Sequence, residues 1–277
     1  MELLSAGHYF VLVRCGSIGL QTYTLNLHYQ KIGNSDKILL AFHGMGQDFS
    51  CFQKFAQTFE HQYTTYLFDL PFHGESDVNE NVITKEIWQE FLTQFLKKNQ
   101  IQRFSIIAFS MGGRFALATL EAFSESVEDA ILLAPDGITE DPFYYGATRF
   151  NFTRSIFKKI LKNNPKFHGF AGLLSRIGIV HKSVLKFAKM MVDTPEKQEQ
   201  LYQSWVGFRT LNFDPKKLSQ LINNQEINVQ LFMGKYDKLL PIDKVYPLTK
   251  RLKKVELIIL ESTHGRLVEK TTEYLKK

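Results

Sequence analysis

Short apolar runs recur along the chain, and between most of them the apolar residues return every three or four positions. The runs are His8–Arg14, Thr22–Gln30, Lys37–Phe42, Thr64–Asp69, Arg103–Phe109, Ala130–Ala134, Val229–Met233 and Val255–Leu260. Gly16 and Gly19 join the first two, which predicts a hairpin. The later runs are short and apolar, as strands buried on both faces must be, and helical segments separate them. Helices are expected at Cys51–Phe59, Thr84–Lys98, Met111–Phe123, Ile242–Leu252 and Leu267–Lys276. This alternation predicts an α/β fold with a mostly parallel eight-stranded sheet flanked by crossover helices. It breaks between Pro135 and Asn228. There Phe143-Tyr144-Tyr145 precedes amphipathic basic stretches, and Asp193-Thr194-Pro195 and Asp214-Pro215 punctuate helices.

The run Arg103–Phe109 leads into Ser110-Met111-Gly112-Gly113 and then the helix-forming stretch Arg114–Phe123. Ala108 and Gly112 stand two residues either side of Ser110, small enough for a sharp strand-to-helix corner. Such a corner exposes a serine oxygen at the carboxyl end of a parallel sheet, and with alanine first the stretch is a variant of G-x-S-x-G. The helix start beyond it aims N–H groups and a positive dipole end at the same spot, ready for an oxyanion. A turn serine without chemistry would not require small residues on both sides. A serine nucleophile needs a base and an orienting carboxylate. His264 follows the last apolar run, and Asp237 follows the run before it, 27 positions upstream, with Asp243 as a neighbouring alternative acid.

With these residues in hand, the chain resembles the α/β-hydrolase superfamily over nearly its whole length. Ser110, Asp237 and His264 stand in the chain order of that family's triad. His43-Gly44-Met45 is similar to its oxyanion loop. Asp69-Leu70-Pro71-Phe72-His73-Gly74-Glu75-Ser76 is similar to its Asp-x-Pro-x-His-Gly-x-Ser turn, and Gly234 to Pro241 to its acid loop. The resemblance implies an oxyanion hole made by the backbone N–H groups of Met45 and Met111. It also implies a helical cap inserted after the sixth strand, which places the cap at 139–223 and the hydrolase core at 1–138 and 224–277. Most cap aromatics, among them Phe143, Tyr144, Tyr145, Phe150, Phe152, Phe157, Phe167, Phe170, Phe187, Trp205 and Phe208, are expected to pack the cap onto itself and the sheet. His43 and His73 read as structural, since neither follows the last strand.

Composition narrows the classes. A chain of 277 residues, 44% hydrophobic and 22% charged, suits a globular α/β domain with an insertion. Cys15 and Cys51 have no metal-ligand spacing and read as free thiols in a reducing compartment. The N-terminal residues lack the basic start and unbroken apolar run of a signal peptide, and no stretch is long enough to span a bilayer, so a cytoplasmic location is expected. Residues 141–222 carry fourteen Lys and Arg against five Asp and Glu, a net of +9, while the rest of the chain sums to −3. A basic cap attracts anionic groups: carboxylates, phosphates, an acidic carrier or an anionic membrane. A solvated lysine-rich surface is the plainer reading, and no motif for nucleic acid accompanies the charge.

The chemistry expected is hydrolysis of an ester or thioester of a small, partly apolar acyl substrate through an acyl-enzyme, without metal or organic cofactor. Ser110-Met111-Gly112-Gly113-Arg114 is also similar to a stretch of the menaquinone-pathway family that eliminates pyruvate from a carboxylated intermediate. That resemblance implies a substrate carboxylate on Arg114, aided by cap arginines such as Arg149, Arg154, Arg176 and Arg209. A structural ion pair for Arg114 is the competing reading. The alternatives are therefore a pyruvate-eliminating lyase or C–C hydrolase on the same triad, and a ligand-binding member without turnover.

Overall fold

The computed structural model describes residues 5–15, 21–162, 186 and 189–277. β1 (Ser5–Cys15) and β2 (Gln21–Ile32) pair antiparallel from Ser5↔Lys31 to Cys15↔Gln21, the expected hairpin. β3 (Ile38–Phe42), β4 (Thr64–Phe68), β6 (Phe104–Phe109), β7 (Val127–Leu133), β8 (Asn228–Gly234) and β9 (Val255–Leu260) follow the apolar runs closely. The sheet order is β1-β2-β4-β3-β6-β7-β8-β9, with β2 antiparallel to β4 and every later pair parallel. One strand was not expected: β5 (Asp77–Val78), which pairs with β2. Two residues are too few to show a period.

The described helices are α1 (Gln53–Thr58), α2 (Lys85–Lys98), α3 (Gly112–Phe123), α4 (Pro142–Arg149), α5 (Asn151–Lys162), α6 (Pro195–Gly207), α7 (Pro215–Asn224), α8 (Tyr246–Thr249) and α9 (Leu267–Leu275). Thr84 caps α2 by accepting from the Ile87 N–H, and Ile87, Trp88, Phe91, Leu92, Phe95 and Leu96 make its buried stripe. That stripe lays Trp88 edge-on to Phe42 at 5.5 Å and Phe95 against Phe68 at 4.9 Å, welding the helix to β3 and β4. Each such side chain contributes about 2–3 kcal/mol by leaving water. The Trp88 indole N–H is satisfied by the Thr119 hydroxyl at 3.0 Å. The helix expected at Ile242–Leu252 is instead a 3-10 turn, Ile242–Val245, followed by the short α8. Pro247 is the cause: it has no N–H to continue a helix through it, and so it sits in the first turn of a new one.

α4, α6 and α7 each begin with a proline behind a capping side chain, Asp141, Thr194 and Asp214, which is the punctuation read in the sequence. Phe157, Leu161, Met191, Val192 and Leu201 form a small core of their own, whereas Phe208, Leu211, Leu218 and Ile222 join the core of the sheet. The division between these two clusters falls near Gly207, and α7 packs on α3. Phe157 stacks on Trp205 at 5.3 Å within the small core. Phe143, Tyr145, Phe150 and Phe152 depart from the expected inward packing and face solvent. Phe167, Phe170, Phe187 and Arg176 lie outside the described residues, as do Gly16 and Gly19. No helix among the described residues is long and apolar enough to cross a membrane.

Candidate active site

Parallel pairing of β6, β7, β8 and β9 brings their carboxyl ends to one edge of the sheet, where sites form in open α/β folds. Ser110 follows the last residue of β6 and adopts φ +52°, a left-handed conformation that costs a non-glycine residue roughly 1–3 kcal/mol. Its backbone is held on both sides: the Ser110 N–H donates to the Leu133 carbonyl at 2.9 Å, and its carbonyl accepts from Gly113 and Asp136, each at 2.8 Å. Gly112 is required by close approach, since a Cβ there would lie 2.1 Å from the Phe42 carbonyl oxygen.

The two loops beyond β8 and β9 are hydrogen-bonded to each other. Lys235 N–H donates to the Leu260 carbonyl at 2.9 Å and Tyr236 N–H to the Ser262 carbonyl at 3.0 Å. This pairing sets Asp237 against His264, with Asp237 Oδ2 and His264 Nδ1 2.6 Å apart. On its far side His264 Nε2 lies 2.9 Å from Ser110 Oγ. Asp237 is buried, and its other oxygen, Oδ1, accepts from the Leu239 and Leu240 N–H groups at 2.8 and 3.0 Å. The Phe109 ring packs on the imidazole at 4.8 Å. The three residues read from the sequence thus form one hydrogen-bonded chain, an arrangement in which an imidazole can take a hydroxyl proton and a carboxylate can fix its tautomer. The alternative acid, Asp243, is exposed in the 3-10 turn and has no contact with His264 among the described residues.

The loop after β3 faces this chain. Gly44 N–H donates to Gln47 Oε1 at 3.1 Å, and Gly46, at φ +70°, donates its N–H to His73 Nε2 at 3.1 Å. Met45 lies between them with its side chain against the small core of Phe157, Leu161, Met191, Val192 and Leu201, and Met191 of that core sits directly over Gly46. Among the described residues, the N–H groups of Met45 and Met111 meet no hydrogen-bond acceptor. Nothing in the spacing of the sequence pointed to Gln47, Met191 or the two amides on Asp237.

His43 and His73 are buried and fully engaged. His43 Nδ1–H donates to the Gly44 carbonyl at 2.7 Å while Nε2 accepts from Leu70 N–H at 2.9 Å. His73 Nδ1–H donates to the Pro71 carbonyl at 2.9 Å while Nε2 holds Gly46. Burial pushes His43 down to about 3, helped by the neighbouring His73, and pushes His73 down to about 4. Both are neutral props of the loop, not proton carriers. Asp69 ties the turn before His73: its oxygens accept from Phe49 N–H at 2.6 Å and Glu75 N–H at 2.9 Å and meet His28 Nδ1 at 2.8 Å. Cys51 is a free thiol that burial pushes up to about 12, which removes it as a nucleophile.

Arg114 takes the ion pair that was the competing reading of the sequence. Its guanidinium is buried, with Nε on Asp136 Oδ2 at 2.6 Å, Nη2 on Asp136 Oδ1 at 3.4 Å and Nη1 on the Leu211 carbonyl at 3.0 Å. The Tyr144 ring covers its face at 4.4 Å. Burial opposes its charge, but Asp136 more than compensates and holds its pKa above the ordinary value. Among the described residues, Arg149, Arg154 and Arg209 do not join it. Arg149 is exposed beside Tyr145, Arg154 donates to the Thr148 and Arg149 carbonyls at 3.1 Å each, and Arg209 donates to the Val206 carbonyl.

The family model described as alpha/beta hydrolase fold matches residues 37–269. None of the curated proteins matches the chain in sequence. Among solved structures, a thermophilic esterase from Thermogutta terrifontis superposes with a TM-score of 0.69 at 15% identity, covering 98% of this chain and 95% of that one. A carboxylesterase from Bacillus subtilis gives 0.62 at 15% identity, with 99% and 90% covered. The enol-lactonase from Burkholderia xenovorans LB400 gives 0.65 at 14% identity, with 91% and 94% covered. Identities this low carry the fold and no more, whereas the family model spans most of the chain, elbow and both loops included: the chain belongs to the alpha/beta hydrolase fold family.

Proposed function

We propose that this hydrolase cleaves a small, partly apolar ester or thioester through an acyl-enzyme on Ser110. The observation that supports this reading most is the hydrogen-bonded chain from Asp237 through His264 to Ser110, at 2.6 and 2.9 Å, ending on a serine held at a strained corner. Ser110 Oγ attacks the carbonyl carbon as its proton passes to His264 Nε2, and Asp237 stabilises the imidazolium through Nδ1–H. The carbonyl oxygen, now anionic, is met by the Met45 and Met111 N–H groups, each worth about 3 kcal/mol of barrier by the measured cost of deleting such donors. The leaving alcohol or thiol takes the proton from His264, and water repeats the sequence to free the acid. The esterases and the lactonase of the same fold act on the same class of bond, which agrees with this reading.

The eliminating lyase loses its pointer, because Arg114 is spent on Asp136, Leu211 and Tyr144. A fluorophosphonate probe tests the proposal. Wild type should be labelled at one site, and Ser110→Ala should abolish labelling with an unchanged circular dichroism spectrum. Labelling that persists in the alanine variant would refute Ser110 as nucleophile.

A further inference from the structure

The outer side of the cap sets large apolar side chains in water. Phe152 is 74% exposed, Phe143 60%, Phe150 59% and Ile156 40%. Phe152, Ile156 and Lys159 are spaced i, i+4, i+7 along α5 and share one face, opposite Phe157 and Leu161, which fill the cap core. Phe150 stands at the corner where α4 gives way to α5. From 142 to 162 the chain carries Arg149, Arg154, Lys158, Lys159 and Lys162 and no Asp or Glu. Glu199 of α6 takes Lys158 at 3.0 Å and reaches Lys162 only at 4.0 Å. Among the described residues, Arg149 and Lys159 meet no carboxylate.

Exposed aromatics rimmed by uncompensated cations mark an interaction surface. Phe152 and Ile156 project singly from one face of α5, and Phe150 from the corner before it. A surface of that shape suits a fluid partner into which single side chains can sink. Aromatic and aliphatic tips with Lys and Arg beside them are the chemistry of an interfacial helix, and the cations select an anionic leaflet. The negative balance of the rest of the chain turns the cap, and not the body, toward such a surface.

We propose that the outer face of α4 and α5 docks on an anionic lipid bilayer, with Phe150, Phe152 and Ile156 entering the headgroup region and Arg149, Lys159 and Lys162 on acidic headgroups. The proposal does not depend on the hydrolase reading.

Co-sedimentation with sucrose-loaded vesicles tests it, using the full chain with phosphatidylcholine alone or mixed equally with phosphatidylglycerol. Half-binding is expected at roughly tenfold less lipid for the anionic vesicles, with release in about 0.5 M salt, where screening shortens to a few ångströms. Phe150→Ser with Phe152→Ser, and separately Lys159→Glu with Lys162→Glu, should each weaken binding about tenfold while leaving the melting temperature unchanged, since these side chains are solvent-exposed. Absence of pelleting, equal binding to neutral vesicles, or variants that bind like wild type would each overturn the proposal. So would a concentration-dependent dimer abolished by the phenylalanine pair in a protein that ignores vesicles, since a second copy would then cover the face.

Discussion

Replacing Arg114 with methionine separates a structural arginine from a substrate-binding one. The guanidinium is 3% exposed and its partner Asp136 30% exposed, so the substitution leaves a half-sheltered carboxylate without its cation. It also strips the Leu211 carbonyl of its donor and Tyr144 of the cation against its ring. Removing one member of a buried pair costs about 3–5 kcal/mol, and the solvation left to Asp136 argues for the lower end, about 3. At about 2–4 °C per kcal/mol for a domain of this size, Arg114→Met should melt about 6–12 °C below wild type. Asp136→Asn added to Arg114→Met should recover part of that loss, because it removes the orphaned charge. Kinetics on matched nitrophenyl esters, one neutral and one carrying a carboxylate, should show KM changing equally for both. Thermal melts by circular dichroism and initial rates at a temperature where the variant is folded make the comparison. A variant that melts with wild type, yet raises KM roughly tenfold for the carboxylated ester alone, would show that Arg114 binds substrate and that the reasoning is wrong.

Two further outcomes follow from the site. Asp237→Asn should cut kcat by roughly 10⁴-fold with little change in KM. Its amide oxygen must stay on the Leu239 and Leu240 N–H groups, which turns the NH₂ onto Nδ1 and forces the tautomer that cannot accept the Ser110 proton; Asp243→Asn should be near neutral, and the reverse pattern would move the acid. Stability should fall as pH drops below about 6.5, because the unfolded chain then protonates His43 and His73 while the folded one resists until about 3 and 4 respectively. The pair adds up to about 2.7 kcal/mol per pH unit to the slope between roughly pH 6 and 4, and His43→Asn should remove about half of it in urea titrations at a series of pH values; an unchanged slope would mean that His43 is not held neutral.

What the sequence made legible was local. The strand runs needed only a few consecutive apolar residues, and the corner at Ser110 needed only Ala108, Gly112 and a helix start. Asp237 and His264 were found because each follows a strand, and parallel strands end on one edge. Their approach then depended on backbone pairing between the two loops, Lys235 to Leu260 and Tyr236 to Ser262, which side-chain identity does not encode. His73 read as structural in the sequence, but what it holds was hidden for the same reason, as was Gln47: both act on backbone N–H groups that any sequence supplies.

Arg114 shows where such reading stops. Its place one turn beyond Ser110 was correct, and so was the inference that a charge there must be answered. What answers it is fixed by tertiary structure: Asp136 lies 22 residues on, in the segment after the neighbouring strand β7, and the Leu211 carbonyl lies 97 residues on, between α6 and α7. A buried arginine is tolerable only when its partners are complete, so the helix geometry that brought it beside the elbow could not say whether protein or substrate completes them. In this chain the protein does: the ion pair joins α3 to the segment after β7, and the hydrogen bond to the Leu211 carbonyl joins it to the chain between α6 and α7. The cation that resembled a specificity residue thus holds Leu211, just before α7, against the helix that carries the elbow.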